Sequence, residues 1–402
     1  MLKSFRVDNF KSLINVTFEP VGLNLLVGPN NAGKTNLCHA LRFLSLTAQM
    51  SLDDAAAACT AEPWNLLNVY IPKESLSLSA TCELTLADEL LSFSYELTLA
   101  SEKGPRAQPR GRPFSVSSEI LRLSGGKFAD TVLLENRGGQ VRLLHEKRFL
   151  RRLAPGSEPD YVDTIAPTDT TMLFRLYDLE TNQRSNLFKR YLASWGYYNF
   201  DPTRLRNNQA RAMETILEGS GSTLSSVLST LHSARPRLEK KLIDAVKLLE
   251  PRLDLLSFQT PDPEHVYMFF EDRQGNKFGV NNISDGTLRY LAMCYLVLVG
   301  DDGVAERGGP PVTIVEEPEN GIFVAHLKNL FEKIEPSGRQ GQFVFTSHNP
   351  YFIDLFDASL QGLFFIKGGE THSTLIKPDP AKLQERLGKF SLGEMHFKGL
   401  LE

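Results

Sequence analysis

The sequence has few cysteines and no long apolar run, and each shortage excludes a class of protein. Its four cysteines, Cys38, Cys59, Cys82 and Cys294, are scattered without CxxC spacing, so neither a zinc site nor a disulfide framework is indicated. The longest apolar run, residues 290–299, is about half of the ~20 residues that a membrane span needs. We therefore expect no membrane-spanning segment.

Charge of either sign is not in large excess. The net charge is −4 and the pI is near 6.1, while 42% of the 402 residues are hydrophobic and 23% are charged. This balance excludes a uniformly basic nucleic-acid coat, although it is compatible with a local basic patch. The length suits one large or two modest domains. The opening MLKSFRVDNF has no apolar stretch typical of a signal peptide, so we expect a soluble, cytoplasmic protein.

The strongest local signal is LNLLVGPNNAGKTNLCHALRFL, residues 23–44. An apolar run typical of a buried strand comes first, and the residues after the loop give a helix one apolar face. Between them lies G-x-x-x-x-G-K-[ST], in which backbone N–H groups and the lysine wrap phosphates and the hydroxyl ligates Mg²⁺. A chance match is the alternative, but the flanking strand and helix argue against it. The predicted nucleotide-binding residues are Gly28, Asn30, Asn31, Ala32, Gly33, Lys34, Thr35 and Asn36.

A pair of carboxylates follows a second apolar run, in PPVTIVEEPENG at residues 310–321. Residues 312–315 are typical of a buried parallel strand, and Glu316 and Glu317 come directly after it. Adjacent carboxylates repel each other and are costly to desolvate, and a Mg²⁺ ion with a water to activate would relieve this cost. We expect Glu316 to lie near the metal and Glu317 to orient or deprotonate the attacking water. A solvated strand end is the alternative.

A histidine ends a third apolar run, in GQFVFTSHNPYFID at residues 341–354. Residues 343–345 predict a strand, and Thr346, Ser347 and His348 follow it. In open α/β sheets, ligands collect at the carboxyl ends of strands. We therefore expect His348 to contact the γ-phosphate of the same nucleotide. A purely structural histidine is the alternative.

Helical periodicity marks NNISDGTLRYLAMCYLVLVG, residues 281–300. Ser284, Asp285, Gly286 and Thr287 stand just before the predicted helix. Cap-forming residues, a glycine that admits close backbone approach and the positive end of a helix dipole together suit an anion. An ordinary N-capped core helix is the alternative, and it accounts for Ser284 but not for the Asp-Gly-Thr beside it.

Together these motifs resemble the ABC-type ATPase heads of the SMC/RecF/OLD class, and more closely its stand-alone ATPases without coiled coil. GPNNAGKT matches the Walker A loop, VEEPENG the Walker B and D-loop region, TSHNP the switch-histidine loop, and ISDGT the ABC signature. FRVDNFKSL, residues 5–13, resembles the opening strand of the family, whose basic residue near the nucleotide is Lys11 here. WGYYNFDPTRLR (195–206) and GSGSTLSSVLSTL (219–231) also resemble this subfamily.

The resemblance implies ATP and Mg²⁺ as cofactors and suggests a role for each motif. Lys11 would join the Walker A residues on the nucleotide, and Thr35 and Glu316 would hold the metal. The residues that it makes catalytic are Glu317, Lys34 and His348.

The resemblance also implies an ATP-dependent dimer. Ser284, Asp285, Gly286 and Thr287 would meet the γ-phosphate of ATP held by a second protomer, so that two ATP molecules join two heads into a homodimer or a higher oligomer. Two positions depart from the family, since Glu316 replaces an aspartate and Phe323 stands where a histidine is frequent. We still expect activity, because the longer Glu316 side chain reaches a metal-bound water.

The expected fold is α/β, a P-loop NTPase of the ABC-ATPase head type with a mixed sheet, an antiparallel N-terminal lobe and an inserted helical lid. Residues 1–150 would form the N-terminal part of the head with Walker A. Residues 151–251, mainly helical, would be the lid, and residues 252–402 would carry the signature, Walker B and switch histidine. Apolar heptads do not persist, so no long coiled-coil arm is expected.

Basic residues gather in two places that suit contacts with a nucleic-acid backbone. The first is a predicted loop, residues 101–118, which is rich in Gly, Pro, Arg and Ser. Its basic residues are Lys103, Arg106, Arg110 and Arg112. The second is a cluster formed by Arg142, Lys147, Arg148, Arg151 and Arg152. DNA is therefore one candidate partner, and a solvated charged face is the alternative.

The expected function is ATP hydrolysis that drives or gates a DNA-processing or antiphage-defence assembly, because relatives act in DNA repair, chromosome maintenance and defence. The chain after His348 is too short for a Toprim nuclease domain of roughly a hundred residues, so we expect a separate effector or nuclease protein. The alternative is a low-turnover, ATP-dependent switch that binds and regulates a protein partner. A transporter subunit fits the signature badly, and a G protein is set aside because no N-K-x-D motif occurs.

Overall fold

The computed structural model of the chain describes residues 1–101, 113–126, 128–151, 160–177, 180–208, 214–299, 311–332, 334 and 341–400. The chain divides into two compact units. Unit 1 contains residues 1–21, 28–195 and 364–377, and unit 2 contains residues 22–27, 196–363 and 378–402. The role of residues 151–251 as a lid stays a prediction. In the described residues, no helix combines the length and apolar character that crossing a membrane requires.

The strands and helices of the described residues are numbered in chain order. The strands are β1 (Leu2–Asp8), β2 (Val16–Phe18), β3 (Leu23–Val27), β4 (Ser75–Leu86), β5 (Glu89–Ala100), β6 (Ser115–Gly125), β7 (Phe128–Arg137), β8 (Gln140–Leu144), β9 (Tyr161–Ile165), β10 (Gly196–Tyr198), β11 (Leu253–Asp262), β12 (His265–Asp272), β13 (Lys277–Gly279), β14 (Val312–Glu316), β15 (Gln342–Ser347), β16 (Leu363–Gly368) and β17 (Ser373–Ile376). The α-helices are α1 (Lys34–Leu46), α2 (Leu52–Cys59), α3 (Glu146–Arg151), α4 (Met172–Arg175), α5 (Gln183–Ala193), α6 (Pro202–Leu205), α7 (Leu224–Ala234), α8 (Pro236–Val246), α9 (Asp285–Cys294), α10 (Val324–Phe331), α11 (Pro350–Ile353), α12 (Pro380–Leu387) and α13 (Leu392–Phe397).

An antiparallel sheet forms much of unit 1, as the alternating apolar residues predict. Its strands pair in the order β2-β1-β4-β5-β6-β7-β8-β9. Side chains two residues apart share a face of a strand, so Phe93 and Tyr95 of β5 both pack on Phe188 of α5, with ring centroids 5.6 and 5.4 Å away. The antiparallel N-terminal lobe is therefore confirmed.

The predicted loop of residues 101–118 is wrong at its end, because β6 begins at Ser115. Residues 115–118 pair with β5, with Ser115 opposite Ala100 and Ser118 opposite Thr98. Backbone pairing with a long neighbouring strand has therefore overridden the loop-forming composition of these residues. Residues 102–112 of the predicted loop, which include Lys103, Arg106, Arg110 and Arg112, lie outside the described residues.

Parallel strands occupy unit 2 in the order β10-β14-β15-β3. The predicted strands at residues 23–27, 312–315 and 343–345 are confirmed as β3, β14 and β15. The segment 151–251, expected to be mainly helical, also contains β9 and β10, and the three residues of β10 pair with β14. A separate antiparallel sheet contains β11, β12 and β13.

The parallel direction of these strands positions the candidate site. Because β3, β14 and β15 are parallel neighbours, their carboxyl ends lie along one edge of the sheet. Gly28 directly follows β3, Glu317 directly follows β14, and His348 directly follows β15. Three predicted functional segments thus begin where three neighbouring strands end.

Candidate functional site

The loop between β3 and α1 has the backbone conformation of an anion-binding nest. Asn31 and Gly33 lie in the left-handed region, with φ of 62° and 110°. Alternation of such residues with right-handed ones turns successive N–H groups towards one point. Helix α1 begins at Lys34, and its N-cap residue, Gly33, has no side chain with which to cap it. Its first N–H groups therefore suit a phosphate ligand.

Lys34 places its ammonium group inside this loop. The side chain is buried, and Nζ donates to the carbonyl oxygens of Gly28 and Pro29, at 2.6 and 3.0 Å. A cation held there adds positive charge to the nest of N–H groups. The predicted nucleotide-binding residues, Gly28 and residues 30–36, therefore lie in this loop and the first turn of α1, as the spacing of the motif requires.

Two serines missed by the sequence analysis support the loop. Ser12 Oγ accepts a hydrogen bond from Asn36 Nδ2 at 2.8 Å and another from Ser373 Oγ at 2.7 Å. Gly33 has no room for a side chain, because a Cβ there would lie 2.5 Å from Ser373 Oγ. Ser12 belongs to the quoted FKSL stretch and was within reach of sequence reasoning. Nothing in the sequence singles out Ser373.

Lys11 contacts the side of α1 and the end of α2. Its Nζ lies 2.9 Å from His39 Nδ1 and donates to the carbonyl oxygen of Cys59 at 3.2 Å. The predicted contact of Lys11 with a nucleotide stays a prediction. Burial, followed by the charges of Lys11 and Arg42, lowers the pKa of His39 from 6.5 to about 3. His39 is therefore neutral at pH 7.

Folding stability is expected to fall as the pH drops below 6.5 because of His39. Between 6.5 and the folded-state pKa of about 3, the unfolded chain binds a proton that the folded chain excludes. The contribution of His39 is fully present above pH 6.5 and is lost as the pH falls towards 3. From pH 7.5 to 5.5 the free energy of unfolding should decrease by about 1.4 kcal/mol through this group. Urea unfolding at the two pH values measures the difference.

His39→Gln should remove this part of the pH dependence, and His372→Gln, at an exposed histidine, is the matched control. Equal pH dependence in His39→Gln and the wild type would contradict the prediction.

Glu316 and Glu317 have different partners, although they are adjacent in sequence. Tyr197 of β10 donates its hydroxyl to Glu316 Oε1 at 2.9 Å. Glu317 lies in the left-handed region with φ of 44°, and its N–H donates to the carbonyl oxygen of Thr346 at 3.1 Å. Tyr197 belongs to the WGYYNFDPTRLR stretch, for which the family resemblance gave no role.

The structure brings Glu317 and His348 together. Asn320 Nδ2 donates to Glu317 Oε2 at 2.7 Å, and His348 Nδ1 lies 3.3 Å from Glu317 Oε1. His348 remains about half exposed, so its ring is accessible from solvent. A carboxylate with an amide on one oxygen and an imidazole on the other has a fixed orientation and a nearby proton carrier.

The signature residues start α9 instead of preceding it. Ser284 is the N-cap, and its Oγ accepts from the N–H of Thr287 at 3.1 Å, so Asp285, Gly286 and Thr287 form the first turn. The prediction that all four stand before the helix is therefore wrong, because the cap of Ser284 closes the turn. Arg206 holds this turn by donating to Ile283 O and pairing with Asp285 Oδ1, each at 2.7 Å.

The start of α9 contacts the D-loop. A Cβ on Gly286 would lie 2.0 Å from the carbonyl oxygen of Gly321, so only glycine permits this backbone approach. Arg289 Nη1 donates to the carbonyl oxygen of Asn320 at 2.7 Å. Because Asn320 also bonds to Glu317, an unbroken series of contacts joins the signature turn to Glu317 within unit 2.

Thr35 of unit 1 and Glu316 of unit 2 carry a hydroxyl and a carboxylate, which are oxygen donors of the kind that Mg²⁺ prefers. Their joint binding of one ion stays a prediction. In the described part of the chain, no three or more His, Cys, Asp and Glu residues gather into a metal-binding group.

The predicted basic cluster is largely neutralised by neighbouring acidic residues. Arg142 pairs with Asp163 at 3.6 Å, Arg148 pairs with Asp160 at 3.5 Å, and Lys147 pairs with Glu180. The side chain of Arg151 and all of Arg152 lie outside the described residues. The arrangement favours the alternative of a solvated charged face, and DNA contact there stays a prediction.

Comparisons with known proteins agree with this geometry. A family model described as "AAA domain, putative AbiEii toxin, Type IV TA system" matches residues 23–354. A crystal structure of an SMC head bound to the C-winged helix domain of ScpA has 12% identity and a TM-score of 0.55, over 95% of this chain and 99% of that chain. The SMC head domain with an extended coiled coil, bound to the C-terminal domain of ScpA derived from Pyrococcus furiosus, has 10% identity and a TM-score of 0.53, over 96% and 98%. No curated protein matches the chain. The predicted fold is thereby confirmed as a P-loop NTPase of the SMC-head type with mixed α/β content.

Proposed function

The chain belongs to this AAA-domain family, and we therefore propose that it is a Mg²⁺-dependent ATP hydrolase whose dimerisation cycle drives or gates a defence or DNA-processing assembly. One observation carries the proposal. The Glu317 carboxylate stands at the carboxyl end of a parallel strand, held by Asn320 and beside His348. Such a carboxylate is suited to accept a proton from an attacking water.

The Walker A loop would hold the phosphates of ATP. Its left-handed residues and the start of α1 present N–H groups to the phosphates. The positive charge of Lys34 stabilises the transferred phosphoryl group more strongly as negative charge develops on that group. Mg²⁺, when bound, neutralises charge on the phosphate oxygens, and Thr35 and Glu316 would hold it. Tyr197 keeps the Glu316 carboxylate in place through its hydroxyl.

Glu317 would act as the general base. Oε1 or Oε2 takes a proton from water, the water oxygen attacks the γ-phosphorus, and ADP leaves with the electrons of the broken P–O bond. His348, near Oε1, would contact the γ-phosphate and help to orient Glu317. The proximity of this imidazole to the base supports the prediction that both residues lie beside the same nucleotide.

The signature turn would serve a second protomer. The exposed Ser284 and Asp285 lie at the start of a ten-residue helix, whose N–H groups and dipole suit a phosphate. The contacts from Gly286 and Arg289 to the D-loop support communication between this turn and Glu317 of the same chain. ATP bound by one protomer would then influence hydrolysis in the other.

Mass and turnover test the proposal together. Wild-type protein should release phosphate from Mg-ATP, and the solution mass of Glu317→Gln should double with Mg-ATP in light scattering after gel filtration. Ser284→Arg, introduced into Glu317→Gln, should abolish the doubling, whereas Ser233→Arg, at an exposed serine of α7, should preserve it. A monomeric mass in both conditions would contradict the ATP-joined homodimer. An oligomeric mass that is the same with and without Mg-ATP would mean that contacts outside the nucleotide sites hold the assembly.

Gly286→Ala should lower ATP hydrolysis at least tenfold and abolish the ATP-dependent doubling. The new methyl group would lie 2.0 Å from Gly321 O, so α9 or the D-loop must shift and the contacts of Asn320 with Glu317 change. Gly279→Ala is the matched control, because a Cβ there has open space around it. The measurements are phosphate release and light scattering. Equal activity of Gly286→Ala and Gly279→Ala would contradict the proposed link.

A low-turnover switch is the second candidate, and Glu317 argues against it. Asn320 and His348 each contact one oxygen of its carboxylate, and each oxygen keeps a second lone pair that can accept a proton from water. A switch of this kind would bind and regulate a protein partner while ATP remains intact. Turnover measured with and without DNA distinguishes the two candidates, since a DNA-processing ATPase should respond and a switch should stay slow.

The proposed partners follow from the family description and the fold. The words toxin and type IV TA system in the family description support a defence setting with a separate effector or nuclease protein. SMC heads solved with ScpA give a precedent for a protein partner on this fold. DNA stays a candidate partner, and the cytoplasm is the proposed location.

A further inference from the structure

An open groove of about 820 Å³ lies in unit 2 beside the signature turn, and the mechanism above leaves it unused. Its wall is polar and contains two guanidinium groups, two rings and several amides. The lining residues that carry the argument are Arg204, Arg206, Asn208, His265, Tyr267 and Asn281. Its volume is in the range of sites for small molecules or single nucleotides and too small for a duplex.

The rings of His265 and Tyr267 form a platform in this groove. They are nearly parallel, at 15°, with centroids 6.3 Å apart, and Tyr267 is 37% exposed. Asp262 fixes the histidine ring through hydrogen bonds to Nδ1 at 2.7 and 2.9 Å. Exposed, oriented rings of this kind stack on the bases of single-stranded nucleic acid.

Amide and guanidinium groups around the platform suit the rest of a nucleotide. Asn208 and Asn281 line the groove, and side-chain amides suit the hydrogen-bonding edge of a base. Arg204 is exposed, and the guanidinium of Arg206 lies at the same wall, where both suit phosphate oxygens. The nearby carboxylates are Asp201, Asp262 and Asp285, which limit the net positive charge and predict modest affinity.

Arg206 belongs to both the groove and the signature turn. It holds Ile283 O and Asp285 Oδ1, each at 2.7 Å, and it also lines the groove. A phosphate in the groove would compete with Asp285 for this guanidinium. The first turn of α9 would then lose the ion pair that holds it.

We propose that this groove binds a short segment of single-stranded nucleic acid, with a base on the Tyr267 ring and phosphates on Arg204 and Arg206. We further infer that Arg206 transmits occupancy of the groove to the signature turn. This second part rests on the proposed ATPase function, whereas the binding itself does not.

Fluorescence anisotropy with a labelled 12-nucleotide oligo-dT, in the absence of ATP, tests the binding. Tyr267→Ala and Arg204→Ala should each weaken binding at least tenfold. Tyr70→Ala and Arg252→Ala, at exposed positions that do not line the groove, should leave it unchanged. Two phosphate contacts predict a slope of log K against log salt of about −1.4. Equal affinity of all variants, absence of binding, equal affinity for the duplex form, or full displacement by free dTMP at equal nucleotide concentration would each overturn the proposal.

The rate of ATP hydrolysis by the wild type should change at least twofold on saturation with the same oligonucleotide. The rate of Tyr267→Ala should not change. Basal turnover of Tyr267→Ala should equal that of the wild type. Oligonucleotide binding with unchanged turnover would overturn the role of Arg206 in transmission. Oligonucleotide binding by a protein without any ATPase activity would contradict the proposed function and leave the groove assignment standing.

Discussion

Replacing Glu317 by glutamine should lower kcat for ATP hydrolysis about a thousandfold, within the range for loss of a general base. The amide keeps the shape of the carboxylate but accepts no proton from water at neutral pH. In free energy, a thousandfold loss is about 4 kcal/mol of transition-state stabilisation. Steady-state phosphate release measures kcat, and calorimetric titration at a temperature where turnover is slow measures the affinity for ATP.

The affinity of Glu317→Gln for ATP should stay within a few-fold of the wild type, because the phosphate-binding loop is unchanged. Glu332→Gln, at an exposed glutamate, is the matched control and should keep full activity. If Glu317→Gln hydrolyses ATP at the wild-type rate, the base is another residue and the role of the Asn320 and His348 contacts is purely structural.

Replacing Lys34 by alanine should weaken ATP binding at least a hundredfold, which corresponds to about 2.7 kcal/mol. The substitution removes the cation inside the Walker A loop and leaves the carbonyl oxygens of Gly28 and Pro29 without its ammonium group. Charged hydrogen bonds of this kind are the strongest that a phosphate receives from a loop. Hydrolysis should become undetectable at ATP concentrations that saturate the wild type.

Lys3→Ala is the matched control, because Lys3 is an exposed lysine of β1 whose ion pair is with Glu83 at 2.8 Å. Thermal unfolding of both variants separates a loss of binding from a loss of folding, since Lys34 is buried and contributes to the loop itself. Unchanged ATP affinity in a folded Lys34→Ala would contradict the nucleotide site.

Local patterns account for the parts of the fold that the sequence predicts well. An apolar run, a glycine-rich loop and an amphipathic helix lie consecutively at residues 23–44, so their structures follow from neighbours in the chain. The same applies to β14 with Glu317 and to β15 with His348, where the motif and its strand are contiguous. Helix α9 is likewise predicted, because its apolar residues recur with helical spacing. Its first turn begins at Asp285, which is earlier than expected.

Contacts between distant segments explain what the sequence does not predict. Strand β10 has only three residues, and its place is decided by pairing with β14 instead of by its own pattern. Tyr197 donates a hydrogen bond to Glu316, from which it is separated by 119 positions in sequence. Arg206 forms an ion pair with Asp285, which is also distant in sequence. The sequence indicated a close backbone approach at Gly286, but only the structure identifies Gly321 as the segment that approaches it. Such pairs leave no periodicity, spacing or composition by which one sequence reveals them.

The order of strands in the parallel sheet has a consequence for synthesis of the chain on the ribosome. Asn24 of β3 bonds to the carbonyl oxygen of Phe343 in β15, and 319 residues separate them. At translation rates of about 5–20 residues per second, β15 emerges roughly 16–64 s after β3. Strand β3, which leads into the Walker A loop, therefore cannot pair with β15 during most of translation. During that interval the strand exposes apolar surface of the kind that chaperones bind, and its pairing with β15 is completed only after most of the chain has been made.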